Sequence, residues 1–311
     1  MARVLVVGAA GFMGQHVCAA LREHADIVGL DLAPPRPDLG HVDWITGSIG
    51  DQSLVASAAD GCGAVVFLAN ASLPASSQVR LAREAASHVT ATLEVAETCE
   101  ALGVERFVFA SSGGTVYGAD APNGGLTEDG PTRPRNGYGV SKLAVEHYLR
   151  LMSERGRMRT LSLRIANPYG EGQRALRGQG IVAAAMEHAR EGTVLPIWGD
   201  GSVERDFVHI SDVARAFSAA LSHDGPSTVL NVGSGRGVTI NDLLERIRSA
   251  TGRELRVEYR SGRPIDVHRN ALAVGRAREE MGWEATTGLD DGLARTARWW
   301  GMGSRKPLAT P

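Results

Sequence analysis

RVLVVGAAGFMG, residues 3–14, decides the fold of this chain. The apolar run Val4–Val7 reads as a strand buried on both faces. It leads straight into glycines at 8, 11 and 14, at the mouth of GFMGQHVCAALREH, whose apolar residues have helical spacing. Gly8 permits a tight turn, Gly11 lets the backbone approach a pyrophosphate, and Gly14 lets the helix pack on the strand. The helix N-terminus then offers unpaired N–H groups and positive potential to phosphate oxygens. A glycine triplet alone is weak, but here the strand, the helix and the place in the first βα unit agree.

Working outward, short apolar runs alternate with helical patterns. DIVGLDL, AVVFLAN, RFVFASS and RTLSLRIANPYG read as strands. DQSLVASAADG, a long segment from about residue 80 to 102, and NGYGVSKLAVEHYLRLMSERG read as helices. Apolar strands separated by helices indicate a doubly wound parallel sheet of Rossmann type, an α/β fold. The pattern changes after Pro168, where a Gly- and Arg-rich loop, short strands and a Thr239-capped helix predict a smaller α/β region. We expect a dinucleotide-binding domain over 1–167 and a mainly substrate-binding domain over 168–300, with some elements crossing back. Residues 301–311 have little to bury and are expected to fray.

Composition narrows the function. The 311 residues hold 33 Lys and Arg against 35 Asp and Glu, a formal charge of −2 without long single-sign runs, which recommends no nucleic-acid partner. Three well-separated cysteines without CxxC spacing suit a reducing compartment, and nine histidines without an HExxH pair or a His/Cys cluster give no metal site. The N-terminus starts a strand at once and shows no cleavage region, and no apolar run reaches membrane-spanning length, so a soluble cytoplasmic protein is expected. Asp31 ends the second strand, 20 residues after Gly11. A carboxylate there accepts from ribose hydroxyls and repels a 2′-phosphate, favouring NAD over NADP; Arg36 in APPRP is the counter-signal.

In NGYGVSKLAVEHYL, residues 136–149, Tyr138 and Lys142 stand one helical turn apart. Free tyrosine, with a pKa of about 10, is a poor base at neutral pH. A nearby Lys⁺ and a cationic nicotinamide both favour the phenolate. GAAGFMG, FASSGGTVYG, YGVSK and RDFVHISDVA occur in that order. Together they resemble the extended short-chain dehydrogenase/reductase family, and within it the NAD-dependent nucleotide-sugar epimerases, over about residues 3–300.

The resemblance implies a catalytic Ser112, Tyr138 and Lys142, with Ser111 as the fallback hydroxyl, because a count back from VYG lands on Gly113. It implies NAD held by Gly8, Gly11, Phe12, Met13, Gly14, Asp31, Leu32, Ser48, Ile49, Leu68, Ala69, Tyr138, Lys142, Ile165 and Pro168. For a UDP-sugar it implies Ser111, Ser112, Asn167, Tyr169, Arg174, Ile181, Trp198, Arg205, Arg263 and Asp266. Asn167 and the two arginines Arg205 and Arg263 would meet the diphosphate, Asp266 the uridine ribose and Trp198 the uracil. Tyr169 would close over the nicotinamide. Guanidinium groups suit diphosphates because they stay charged and donate several fixed hydrogen bonds. Arg174 and Arg177 sit in the expected substrate loop and could meet a sugar carboxylate, the phosphates or solvent. Ser72 and Phe67 depart from the hexose epimerases and weaken inference about the sugar.

The reading that follows is a UDP-sugar 4-epimerase acting through a 4-keto sugar, on UDP-glucose/galactose or UDP-glucuronate/galacturonate. A 4,6-dehydratase would need an acid pair where Gly113 and Gly114 stand, whereas a UDP-glucuronate decarboxylase needs fewer dedicated groups. A dinucleotide sensor of the same fold would need the glycine loop but not the serine, tyrosine and lysine. The family predicts a homodimer, for which Leu143, Val145 and Leu149 suit either the interface or the core.

Overall fold

A computed structural model of the chain describes residues 2–34, 39–70, 80–175, 180–262 and 267–303. Arg36, Ser72, Arg177, Arg263, Asp266 and the tail from 304 lie outside the described residues.

The central sheet has seven parallel strands. They are β1 (Ala2–Val7), β2 (Ala25–Asp31), β3 (Val42–Thr46), β4 (Ala64–Phe67), β5 (Arg106–Ser112), β6 (Arg159–Ile165) and β10 (Val229–Val232), in the order β10-β6-β5-β4-β1-β2-β3. β2 and β4 flank β1, so the winding reverses there and a crevice opens at the strands' carboxyl ends, where open α/β sheets bind ligands. The alternation along β1 shows why the run had to be apolar throughout. Val4 and Val6 enter the core that holds Val17, Leu21 and Phe217, while Leu5 and Val7 enter the opposite one with Val55, Val95 and Val145.

Helices α1 (Phe12–Leu21) and α7 (Ile210–Ala220) pack together on the first face. The second carries α2 (Gln52–Ala59), α4 (Ala91–Ala101) and α5 (Gly137–Glu154). The predicted long helix is one continuous run in three parts: α3 (Leu81–Glu84), a π-helical turn over Ala85–Thr90, and α4. β3 was not expected; as an edge strand with only exposed and half-buried residues it lacks the apolar run of its neighbours. RTLSLRIANPYG, expected as one strand, divides at Ala166, after which β7 (Asn167–Tyr169) pairs with β9 (Glu204–His209) in a separate small sheet.

That sheet also takes β11 (Gly237–Thr239) and β13 (Arg269–Asn270), and β8 (Val194–Trp198) pairs with β12 (Arg256–Arg260). Their core joins α6 (Ile181–Glu191), α8 (Ile240–Thr251) and α10 (Leu289–Trp299) through Met186, Leu243, Ile247 and Leu293. α9 (Gly275–Met281) packs against β10. The chain therefore returns from beyond residue 168 to the first layer as α7 and β10, and again as α9. Among the described residues no helix is long and apolar enough to cross a membrane.

Candidate active site

A cleft of ≈ 1310 Å³ runs across the carboxyl ends of β1, β4 and β5 to the small sheets. The glycine loop forms one wall. Gly8 has φ +87°, and a Cβ there would lie 2.8 Å from the Ala69 nitrogen. A Cβ on Gly14 would lie 2.2 Å from the Gly8 oxygen, so only glycine lets α1 start against β1. Asp31 closes this end of the cleft. Its carboxylate accepts from the backbone N–H of Ala10 at 2.9 Å and of Ala33 at 3.0 Å, which fixes it beside the loop. Leu32 follows, 75% exposed, an apolar surface suited to a flat base. Phe12, Met13, Ser48, Ile49, Leu68, Ala69, Ile165 and Pro168 line the same cleft. These residues fit a dinucleotide: a cradle of bare backbone for the pyrophosphate, with a carboxylate and an apolar shelf beyond it for the adenosine.

The opposite wall begins where α5 begins. Asn136 caps it, accepting from Gly139 N–H at 2.8 Å, and a Cβ on Gly139 would lie 2.9 Å from Thr115 O. That close approach brings Tyr138 to the end of β5. The Ser112 and Asn70 side chains share this wall of the cleft with the phenol. One turn on, Lys142 is buried, donates to Ala110 O at 2.8 Å, and places its ammonium 5.5 Å from the centroid of the Tyr138 ring. The structure thus brings Ser112, Tyr138 and Lys142 together, facing the glycine loop.

Ser111 lines the cleft too, but its hydroxyl donates to Glu146, which also forms a buried pair with Arg164. The fallback hydroxyl is therefore already engaged. Gly113 is a glycine of necessity, since a Cβ would lie 2.5 Å from a Leu272 methyl and 3.0 Å from Arg164 O.

The electrostatics differ from the sequence expectation. Burial pushes Tyr138 up to about 12, with Glu84 adding to the rise and the polar side chains of Asn70 and Ser112 opposing it. Burial pulls Lys142 down to about 7, against the raising charges of Glu84 and Glu146. The protein groups alone do not make a phenolate; a cation entering the cleft beside the ring would have to supply the remainder.

Toward the small sheets the cleft is lined by Asn167, Arg174, Ile181, Trp198 and Arg205. Asn167 donates to Asp206 O at 2.8 Å. Arg205 donates to the carbonyls of Glu204 and Val267 at 2.8 and 2.9 Å. Trp198 is an exposed shelf, with the Arg260 guanidinium 5.7 Å from its ring centroid. Tyr169 departs from its expected role. Its side chain is 1% exposed, its hydroxyl donates to Leu289 O at 3.3 Å, and its ring packs edge-on against His209 and Phe207. Tyr169 lines the cleft, but its ring is packed into the core of the small sheets. Among the cleft-lining residues that went unnoticed in the sequence are Asn70, and Arg83, Ser87 and Ala91 on the run from α3 to α4. Asn70 follows the end of β4, where ligand-binding residues of this fold concentrate; the other three carry no motif.

The fold and this arrangement define a Rossmann-type dinucleotide enzyme with a Ser/Tyr/Lys site. The chain belongs to the NAD dependent epimerase/dehydratase family, whose model matches residues 4–233. It is 31% identical over 304 residues to the dTDP-4-dehydro-6-deoxyglucose reductase of Escherichia coli, covering 93% of this chain and 95% of that one. The UDP-glucose 4-epimerase of Thermotoga maritima, solved with UDP-glucose, superposes with a TM-score of 0.90 at 31% identity, covering 96% of this chain and 98% of the other. MoeE5, solved with UDP-glucuronic acid and NAD, gives a TM-score of 0.86 at 33% identity with the same coverage.

Proposed function

We propose that the chain is an NAD-dependent UDP-sugar 4-epimerase, acting on UDP-glucose/galactose or UDP-glucuronate/galacturonate. The observation that carries this is the Tyr138 phenol, beside the Lys142 ammonium and on one cleft wall with Ser112, facing a dinucleotide cradle. The similarity to MoeE5 and to the Thermotoga maritima epimerase supports the nucleotide-sugar class.

In this reading the glycine loop and Asp31 hold NAD, whose chemistry when bound is reversible two-electron oxidation at C4 of the sugar. Ser112 orients the O4 hydroxyl, and Tyr138 accepts its proton as the carbinol becomes a ketone. Lys142 stabilises the phenolate. Tyr138 returns the proton to oxygen once the ketone has presented its other face. Asn167 and Arg205 bind the diphosphate, Trp198 and Ile181 flank the uridine, and Arg174 meets the phosphates or a sugar carboxylate. Arg263 and Asp266 belong to the same proposal by sequence. Tyr138→Phe removes the acid–base group alone. Its kcat for UDP-glucose or UDP-glucuronate should fall about 10²–10⁴-fold, while NAD binding, read by release of bound nucleotide on denaturation, persists. Unchanged turnover would refute the mechanism.

A second reading, reduction of a 4-keto nucleotide sugar, draws on the similarity to the Escherichia coli reductase. It uses the same site but must exchange cofactor at each turnover, so stoichiometric consumption of NADH would identify it. We also infer a cytoplasmic homodimer. Three buried free cysteines suit a reducing compartment, and α5 leaves Val140, Tyr148 and Leu151 exposed along one side. Val145 and Leu149 are core residues and Leu143 packs against the core, so this exposed stripe replaces them as the interface candidate.

A further inference from the structure

Lys142 raises a question of charge balance. An ammonium only 2% exposed should have a counter-charge, since isolated buried ions are costly. Its one hydrogen bond among the described residues goes to a neutral carbonyl, Ala110 O, and its other neighbours are the rings of Phe109, at 4.6 Å, and Tyr138.

Two carboxylates are near. Glu146, one turn along α5, is already matched: Arg164 donates to it from Nε at 3.1 Å and from Nη2 at 2.7 Å, and the Ser111 hydroxyl donates to it as well. Glu84, at the end of α3, is 5% exposed. Its Oε1 is fully buried with no hydrogen-bond partner, and its carboxylate forms no contact ion pair among the described residues. α3 packs on α5, so a buried anion and a buried cation, each without an ionic partner in contact, face each other across two packed helices.

The backbone explains how Glu84 is kept there. The buried positions along this run include Glu84, His88, Thr92 and Ala96, four residues apart, with Val95 and Cys99 beside the last two. In a regular α-helix such a line drifts by about 40° per step, because four residues exceed one turn of 3.6. The π-helical turn directly after Glu84 is wider, which keeps Glu84 and His88 on the face turned to α5. His88 fills the space between: its ring lies 6.4 Å from that of Tyr138 and 6.3 Å from that of Phe109. Burial, reinforced by the Lys142 charge, holds its pKa near 2, so it packs there as a neutral ring.

We propose that Glu84 is the counter-charge of Lys142, a positioning carboxylate that acts through space to keep the ammonium protonated beside Tyr138. The groups facing Lys142 are Tyr138 and Glu146 from its own helix, Glu84 and His88 from the α3/π segment, and Arg164 from β6 through Glu146. Of these, Glu84 alone carries a charge that nothing else balances. Its consequence for catalysis rests on the epimerase reading; the charge pairing does not.

The sequence supplies a direct test, because the chain has only two lysines, Lys142 and Lys306. Protein labelled with ¹³C at lysine Cε gives two lysine signals, and Lys306→Arg identifies that of Lys142. The pH midpoint of the Lys142 signal should fall by about one unit or more in Glu84→Gln, since removal of a nearby anion disfavours the ammonium. Glu84→Asp keeps the charge one methylene further away and should lower the midpoint by less. It also serves as the test if the glutamine variant does not fold. A Lys142 midpoint unchanged in a folded variant would overturn the proposal. In turnover assays the alkaline limb of the kcat profile should move to lower pH with the NMR midpoint. A uniform loss of kcat at every pH, with an unmoved limb, would show that Glu84 only packs. The NMR arm reads Lys142 whether or not the protein is an epimerase, so failure of either idea is visible separately.

Discussion

Glu146 and Arg164 show what a single residue can be asked to carry. Their side chains are 2% and 6% exposed, and the guanidinium also lies 4.9 Å from the Tyr117 ring centroid. Removing one partner of such a pair leaves the other charge buried and uncompensated, a cost of about 3–5 kcal/mol. Glu146→Gln should therefore lower the unfolding free energy by about that amount in urea titrations at fixed protein concentration; a loss below about 1 kcal/mol, the value typical of an exposed pair, would contradict the burial argument. This cluster was invisible in the sequence. YGVSK announced Tyr138 and Lys142 because loop, helix start and spacing coincide in one short stretch. Glu146, Arg164 and Ser111 meet only after β5, β6 and α5 have packed, and nothing local marks an acid or a serine for such a role. The burial of the Tyr169 ring was hidden for a complementary reason. NPYG follows a strand end, as a cleft residue should, but β7 pairs with β9 and turns the ring into the core of the small sheets.

At the scale of elements, the loop after β7 is tied down by charge. Glu171 lies 3.1 Å from His209 Nε2 and accepts from Arg295 Nε at 3.1 Å, while its backbone carbonyl is 2.7 Å from His16 Nε2 on α1. One residue thus joins α1, the start of α7 and α10 next to the substrate loop. Burial alone would raise the Glu171 pKa, but the adjacent His209 ring, the residue's own backbone N–H and the charges of His209 and Arg295 outweigh it and hold the carboxyl at about 2. A depressed carboxylate stabilises the fold above its unfolded value, near 4.5, and that contribution is lost as pH falls towards 2. Glu171→Gln should accordingly lower Tm at pH 7, with the gap from wild type narrowing between pH 4.5 and 2. A gap independent of pH across that window would mean that the contacts matter only for shape.

The elements that were legible owe it to pattern. β1, β2, β4 and β5 are apolar runs between helical segments, and the glycine spacing marked the crevice. β3 was missed because an edge strand needs no apolar run, and the π-helical turn because its sequence has the composition of an ordinary helix. The turn matters to the site all the same, since it sets Glu84 and His88 behind the Tyr138/Lys142 wall.

For the whole molecule, the sequence predicted the α/β class and a cleft between a first and a second half. It could not show that β10 and α7 return to the first layer. Those returns come from pairing between segments more than 60 residues apart in sequence, such as Val229 with Ser162. Local patterning does not encode such partners. The same scale governs assembly. Val140, Tyr148 and Leu151 are 53%, 50% and 44% exposed on α5, spaced so that they share a side of the helix. If they form the interface of a homodimer, Leu151→Arg combined with Tyr148→Glu should halve the mass measured by light scattering while leaving the circular dichroism spectrum unchanged. A wild-type chain that is already monomeric, or a double variant that keeps the dimeric mass, would remove α5 from that role.

In the proposed reaction one cleft oxidises and re-reduces the same sugar carbon, with Tyr138 handling the proton. UDP-glucose and UDP-glucuronate, each deuterated at C4, would be incubated with the purified protein without added NAD, and the products read by NMR. The 4-epimer of one of them should appear with deuterium retained at C4, because hydrogen leaves and returns within one closed site. A pentose from UDP-glucuronate, an epimer whose C4 deuterium has exchanged with solvent, or no turnover even with NAD supplied would contradict it.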